Sequence, residues 1–216
     1  MRQNRGRQTS WLQNSTDGNL RCCSGKVAGW VVLWVYKVAV DRQQQELLLP
    51  MIVALDVYYR QQQAKAVAVT FEAWDSTTLT NKHEAKLSGL EPYEPGAFYK
   101  RELPCLLAVL ERVDLKEVNY VVIDGYVVLD DDNRPGLGWH LYQHLEEKVP
   151  VIGVAKTRFY HSGRQVVGVL RGQSKSSLYI TSAGTDVATA AAFIGKMAGF
   201  YRIPALLHEL DSLTRS

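Results

Sequence analysis

Two aspartates stand where apolar runs end. In "MIVALDVYY" the run from Ile52 carries Asp56 near its close, and in "NYVVIDG" the run Tyr120–Ile123 stops at Asp124. Two carboxylates held close together repel one another and raise each other's pKa unless a cation sits between them. Mg²⁺ binds through one or two carboxylates plus waters and substrate phosphates. Paired strand-end acids therefore suggest metal-assisted phosphodiester chemistry. A plainer reading stays open, because aspartate also caps turns and helix N-termini. A third acid, Glu102, closes the Pro- and aromatic-rich stretch "PYEPGAFYKRE", where a helix begins. Lys156 ends the run "VPVIGVAK", where an ammonium can hold a phosphate or position an attacking water. Taken alone, Lys156 is an ordinary exposed strand-end lysine.

The elements around these residues follow from periodicity. Continuous apolar runs predict buried strands over Ile52–Tyr58, Asn119–Asp124 and Pro150–Ala155. Ala64–Trp74 and "STTLTNKHE" (76–84) read as a second and a third strand in a hairpin meander. "RQVVGVLRG" and "SLYITSAG" read as two more. Helical spacing of apolar residues predicts helices over Arg101–Val113, Leu137–Lys148 and Asp186–Phe200, the last packed by Ala190, Phe193, Ile194 and Met197. Three strands followed by alternating helix and strand predict one mixed α/β domain, a central sheet flanked by helices.

That domain occupies residues 51–216. Residues 1–50 differ: they are Gln-, Asn- and Arg-rich, then Trp/Val-rich, then polar again at "DRQQQE". Met51 is a candidate true start, with 1–50 an upstream reading or a disordered extension. The alternative is a real extension adding a short helix or hairpin. Deleting 1–50 is expected to leave the fold intact. The net charge of +3 comes from that segment, which holds seven Lys or Arg against three Asp or Glu, leaving 18 against 19 in the body. The body therefore does not advertise nucleic-acid binding by charge alone. The apolar run 27–40 is interrupted by Lys37 and is too short to span a bilayer. Cys22, Cys23 and Cys105 form neither a disulfide framework nor a CxxC metal pair. A soluble, cytoplasmic monomer without membrane association is expected.

Five segments together resemble the endonuclease V family, of RNase H-like fold, over most of residues 51–216. "ALDVYY" looks like its first Asp motif and "PYEPGAFYKRE" like its Pro-Tyr-x-Pro-Gly stretch ending in Arg-Glu. "VVIDG" resembles its second Asp motif and "PVIGVAK" its lysine motif. "LYITSAG…GFYRIPALLHELDSL" resembles its C-terminal strand, helix and tail. The resemblance implies a Mg²⁺-dependent endonuclease, with Mn²⁺ as an alternative, acting on DNA or RNA that contains deaminated purine (hypoxanthine, as inosine). It implies cutting one nucleotide beyond the lesion on the 3′ side, in DNA repair or inosine-RNA processing. Asp56, Glu102 and Asp124 would be metal and water ligands, with Lys156 at the phosphate. Pro92, Tyr93 and Pro95 would wedge the duplex. Gly96, Ala97 and Phe98 would line a pocket for the turned-out base, as base-reading enzymes generally require.

The chain also departs from that pattern. Val127 stands where the family has a second glycine, and Asp130 where it has a histidine, in a loop one residue longer. His140 falls at a later family histidine, and Glu94 replaces an apolar wedge residue. Ala190 stands where the C-terminal helix brings one more acid; Asp186, one turn earlier, is a candidate substitute but is expected to cap the helix. Of Asp130–Asp132, one could position a water, and two are expected to be solvated loop acids. Two other functions stay open: a nucleic-acid-binding protein of this fold that has lost turnover, and another RNase H-like nuclease with a different substrate.

Overall fold

Strand β1 (Met51–Arg60) is apolar on both faces because both are covered. Val53 and Leu55 enter one core and Ile52 and Ala54 the other. The computed structural model describes residues 51–60, 63–89, 98–159 and 163–216. The chain divides after Leu47, and everything described here belongs to the unit Leu48–Ser216.

β1 pairs antiparallel with β2 (Gln63–Phe71), which pairs antiparallel with β3 (Asn81–Ser88). β4 (Val118–Asp124) and β5 (Val151–Ala155) extend the sheet in parallel from β1. β7 (Leu178–Ala183) and then β6 (Val167–Val169) close it antiparallel. The result is one mixed seven-stranded sheet of order β3-β2-β1-β4-β5-β7-β6. On one face lie α1 (Phe98–Leu110) and α2 (Leu137–His144), which bring Leu103, Leu106 and Leu141 to Val53, Leu55 and Ile123. On the other lie α3 (Val187–Lys196) and α4 (Ala205–Arg215), which bring Ile194, Leu206 and Leu210 to Ala54, Val122 and Ile152. The expected sheet flanked by helices is present.

Several boundaries move for local reasons. The third strand begins at Asn81, not near Ser76. Ser76 Oγ accepts from Ala73 N at 3.1 Å, Ser76 N donates to Ala73 O at 3.0 Å, and these bonds form a turn where a strand was expected. α2 stops at His144, short of Lys148, and Glu146 and Glu147 then adopt φ of 53° and 58°. α3 ends at Lys196, before Phe200, because Met197 turns out of the helical region at ψ 142°. α1 starts three residues early and carries Pro104 inside it. The helix continues past that proline because Leu103, Leu106, Val109 and Leu110 share one buried face.

α4 was not expected as a separate element. It begins after Pro204 and buries Leu206, Leu210 and Thr214, spaced four apart on one face. Lys65 of β2 donates its ammonium to Leu213 O at 2.7 Å, a cation placed at the helix C-terminus where carbonyls lack intrahelical partners. Among the described residues no helix is long and apolar enough to cross a membrane.

Candidate active site

The register of β1 and β4 places the two aspartates. Leu55 pairs with Ile123, so Asp56 and Asp124 are each one residue further on along adjacent parallel strands. Alternation puts them on the face of Ala54 and Val122, toward α4. Glu102 arrives from the opposite face, one turn into α1 and only 8% exposed. All three line one cleft of about 360 Å³, together with Lys156, Asp211 and Arg215. An apolar recess of about 190 Å³ adjoins it, built by Ile203, Leu207 and Leu210 around the same aspartates.

Local chemistry holds each acid in place. Asp124 ends its strand because Gly125 takes φ 142°, which a side-chain-bearing residue rarely adopts. The chain then crosses β5 at Gly153, where an added Cβ would stand 2.5 Å from Gly125 O. Val127 N donates to Thr181 Oγ1 at 2.8 Å and fixes the crossing. Lys156 Nζ donates to Asp124 Oδ2 at 2.7 Å. Thr214 Oγ1 donates to Asp56 Oδ2 at 2.6 Å, so α4 is tied directly to β1. Arg215 lies 5.0 Å from the Tyr58 ring centre and pairs with Asp211 at 2.9 Å.

The acids perturb one another. Burial, then the charges of Asp56 and Asp124, push the Glu102 carboxyl up to about 8. Burial raises Asp56 as well; the Thr214 bond opposes the rise, and Asp124 and Asp211 add to it. Burial pulls Lys156 down, but the Asp124 bond and the charges of Asp124, Asp211 and Asp56 outweigh it and leave the ammonium favoured. The hydrogen bond from Arg215 holds Asp211 below the usual carboxylate range. A cleft in which neighbouring carboxylates raise the cost of ionising Glu102 and Asp56 favours a bound cation.

Asp56, Glu102, Asp124 and Lys156 thus come to one cleft. Phe98 joins its rim, half exposed at 46%. The wedge and pocket residues Pro92, Tyr93, Pro95, Gly96 and Ala97 lie outside the described residues. Asp130 does not line the cleft. Its Oδ1 accepts from Arg134 N at 3.0 Å and Asp132 N at 3.2 Å, so it caps its own turn. Asp131 is not simply solvated: its Oδ1 accepts from Arg164 N at 2.7 Å and joins two loops. His140 stacks on Tyr99 with ring centres 3.7 Å apart and is not among the residues that line the cleft. Asp186 caps α3 through Thr189 N at 2.9 Å, and Ala190 is fully buried in the core. Val127 also fills core, and Gly138 makes room for it, since a Cβ there would meet Val127 Cγ2 at 2.7 Å.

Asp211 is the acid that the sequence reading missed. It lies one helical turn before Thr214, on the face of α4 turned to Asp56. The available signal was the period-four apolar pattern of Leu206 and Leu210 after Pro204, which defines a helix whose last turns carry Asp211.

The donor set suits a hard cation. The cleft offers carboxylate oxygens and no thiolate, the preference of Mg²⁺ and Mn²⁺. Among the described residues no three His, Cys, Asp or Glu form a closed ligand cluster. An octahedral ion that keeps several waters needs only one or two carboxylates, so Asp56 and Asp124 fit it.

A family model described as Endonuclease V matches residues 35–209. The Endonuclease V of Streptomyces avermitilis is 32% identical over 185 residues, covering 76% of this chain and 79% of that protein. The crystal structure of that bacterium's Endonuclease V superposes with a TM-score of 0.62 at 25% identity, over 78% of this chain and 81% of its own. The catalytic domain of human Endonuclease V gives 0.64 at 19% identity, over 77% and 81%. The Ciona intestinalis Endonuclease V, solved with a DNA containing an inosine followed by a ribo-adenosine, gives 0.62 at 16% identity, over 83% and 96%. These likenesses share the RNase H-like architecture found here, and the chain belongs to the Endonuclease V family.

Proposed function

We propose that this protein is a divalent-metal-dependent endonuclease that hydrolyses phosphodiester bonds in nucleic acid containing hypoxanthine. The observation that carries the reading is the meeting of Asp56, Glu102, Asp124, Asp211 and Lys156 in one cleft. The choice of substrate is supported by the Ciona intestinalis relative, which was solved with inosine-containing DNA.

Asp56 and Asp124 would hold Mg²⁺ or Mn²⁺, with Glu102 and Asp211 bonding its waters. Bound there, the ion would offset the charge that builds on the phosphate. The residues supply the rest. Glu102, whose raised pKa keeps its proton in the metal-free cleft, would give it up once a cation is held beside it, and its carboxylate can then take a proton from an attacking water. Lys156 stays charged beside Asp124 and can bind a phosphate oxygen. Thr214 holds Asp56, a residue that lines the cleft, in one orientation. Phe98 stands at the Glu102 side, where a base turned out of the strand would be received.

The test is cleavage. The full chain is incubated with inosine-containing and matched adenosine-containing strands, single and double, DNA and RNA, with Mg²⁺ and with EDTA. Cutting of inosine strands in Mg²⁺ alone is the expected result, and the DNA and RNA arms decide between repair and RNA processing. If strands are bound but never cut with Mg²⁺ or Mn²⁺, the protein is a binder that has lost turnover. Equal cutting of adenosine strands makes it another nuclease of this fold.

A further inference from the structure

Beside the cleft, two aromatic rings stand almost wholly in water. Phe200 is 92% exposed and Tyr201 82%. Such rings normally bury their area, so a neighbouring exposed pair calls for an occupant. The backbone beneath them is firmly held. Arg171, itself 6% exposed, donates from Nη2 to Met197 O and, at 3.3 Å, to Gly199 O. Arg202 donates from Nη2 to Lys156 O and, at 2.6 Å, to Ser177 O. Gly172 takes φ 56° against this segment, and a Cβ there would stand 1.9 Å from Phe200 O, so the two turns pack without room for a side chain. The rings are therefore presented from a backbone clamped to the strand end that carries Lys156.

The groove beneath the rings is about 1010 Å³ and continues into the active site: Ile203 and His208 line both it and the apolar recess beside Asp56 and Asp124. Its described lining includes Gln173, Ser174, Arg202 and His208 and no acid. This chemistry suits a strand with flat apolar groups: bases against exposed rings, in a mainly apolar groove whose described lining holds no acid to repel the phosphates.

We propose that Phe200 and Tyr201 are a base-stacking platform for unpaired nucleotides leaving the cleft on the α4 side, across the acids from Phe98. The proposal rests on the nuclease reading above and adds a strand-binding subsite to it. Stacking on aromatics tolerates any base, so the platform fixes the strand's path and not the choice of lesion. A clamped backbone lowers the ordering cost of binding.

The experiment uses the full chain in EDTA with fluorescein-labelled single-stranded oligo-dT and a matched inosine-containing strand, read by anisotropy. Phe200→Ala and Tyr201→Ala should each weaken binding of both strands about 5- to 100-fold. Phe200→Trp and Tyr201→Trp should keep it, and both alanine variants should keep the wild-type thermal transition, since the rings touch solvent. 2-Aminopurine placed in the strand on the α4 side should be quenched on binding, and the quench should be lost in the alanine variants. Alanine variants that bind as tightly as wild type, or a wild-type chain that does not bind single strands, overturn the platform and leave the pair to a protein partner. The nuclease reading is judged separately by cutting. Wild type that cuts inosine strands, with alanine variants that bind normally, overturns only the platform. Wild type that cuts nothing but loses strand binding on alanine substitution supports the platform and overturns the nuclease.

Discussion

Lys156 Nζ sits 2.7 Å from Asp124 Oδ2, so the cation from one strand end neutralises the carboxylate of the next. The side chains are 47% and 43% exposed, and a pair this open contributes only about 0–1 kcal/mol. It can therefore open without unfolding anything. With a divalent ion held there, Asp124 would turn to the ion and Lys156 would be free to bind a phosphate.

Asp124→Asn keeps the shape of this side chain and removes its charge. Metal-dependent cleavage of inosine strands should fall by roughly 10²-fold or more, while binding in EDTA is largely kept. Lys156→Ala should slow cutting without changing which base is chosen. Single-turnover rates on inosine and adenosine strands check both. If the Asp124→Asn variant cuts at half the wild-type rate, this residue is removed from the metal site.

Glu102 makes the metal-free protein sensitive to pH. Its ordinary value is 4.5 and its folded value about 8, so between these the folded chain holds a proton that the unfolded chain has released. Stability must then fall as pH rises through that window. Asp56 is raised too and acts in the same direction. Lys156 is protonated in both states there and adds no slope. In EDTA, Tm should drop from pH 5 to pH 8, and Glu102→Gln should flatten the drop. Mg²⁺ should raise Tm more at pH 8 than at pH 5, because carboxylates must lose protons to bind it. Scanning calorimetry across pH tests this, and an identical slope in wild type and Glu102→Gln would contradict it.

Thr214 is 1% exposed, and its hydroxyl is shared between Asp56 and the helix backbone. Thr214→Val keeps the volume but removes the side-chain donor to the Asp56 carboxyl, leaving it the Val57 backbone bond. About 1–3 kcal/mol of stability should be lost, as for other buried groups deprived of one partner. Thr214→Ser should retain most of it. Urea unfolding of the two variants makes the comparison, and equal midpoints would show that the bond contributes little.

Asp130 is committed to its turn. Asp130→Ala should cut at close to the wild-type rate and lose on the order of 1 kcal/mol of stability, from two backbone donors and the Arg134 pair at 3.5 Å. Asp130→His should not raise activity. A large fall in rate for Asp130→Ala, with stability intact, would instead assign it a water-positioning role.

Asp124 was legible in the sequence because its signal is local, whereas Asp56, expected near the close of its strand, lies inside β1, which runs on to Arg60. An apolar run long enough for a covered strand, stopped by an acid and a glycine, marks both the element and its edge within seven residues. Lys156 and Glu102 were legible in the same way, one at the end of an apolar run and the other at the start of a helix. The capping role of Asp186 was also local, since it depends on a residue three positions away. The third strand was misplaced because β-branched residues between 76 and 80 satisfy a strand pattern, while the hydroxyl of Ser76 satisfies the backbone first.

What only the tertiary structure decided is which distant residues share the cleft. The Thr214–Asp56 bond joins residues 158 apart, and no periodicity connects a helix at the end of the chain with a strand near its start. Asp211 became a site residue because Leu206 and Leu210 dock α4 on the face that Asp56 and Asp124 share. Asp130, which sequence position placed near the chemistry, was turned to its own backbone by a loop whose donors lay within reach. Local pattern sets where a carboxylate can stand on its element. The packing of elements against the sheet sets which carboxylates meet, because that depends on buried area contributed by residues far apart along the chain.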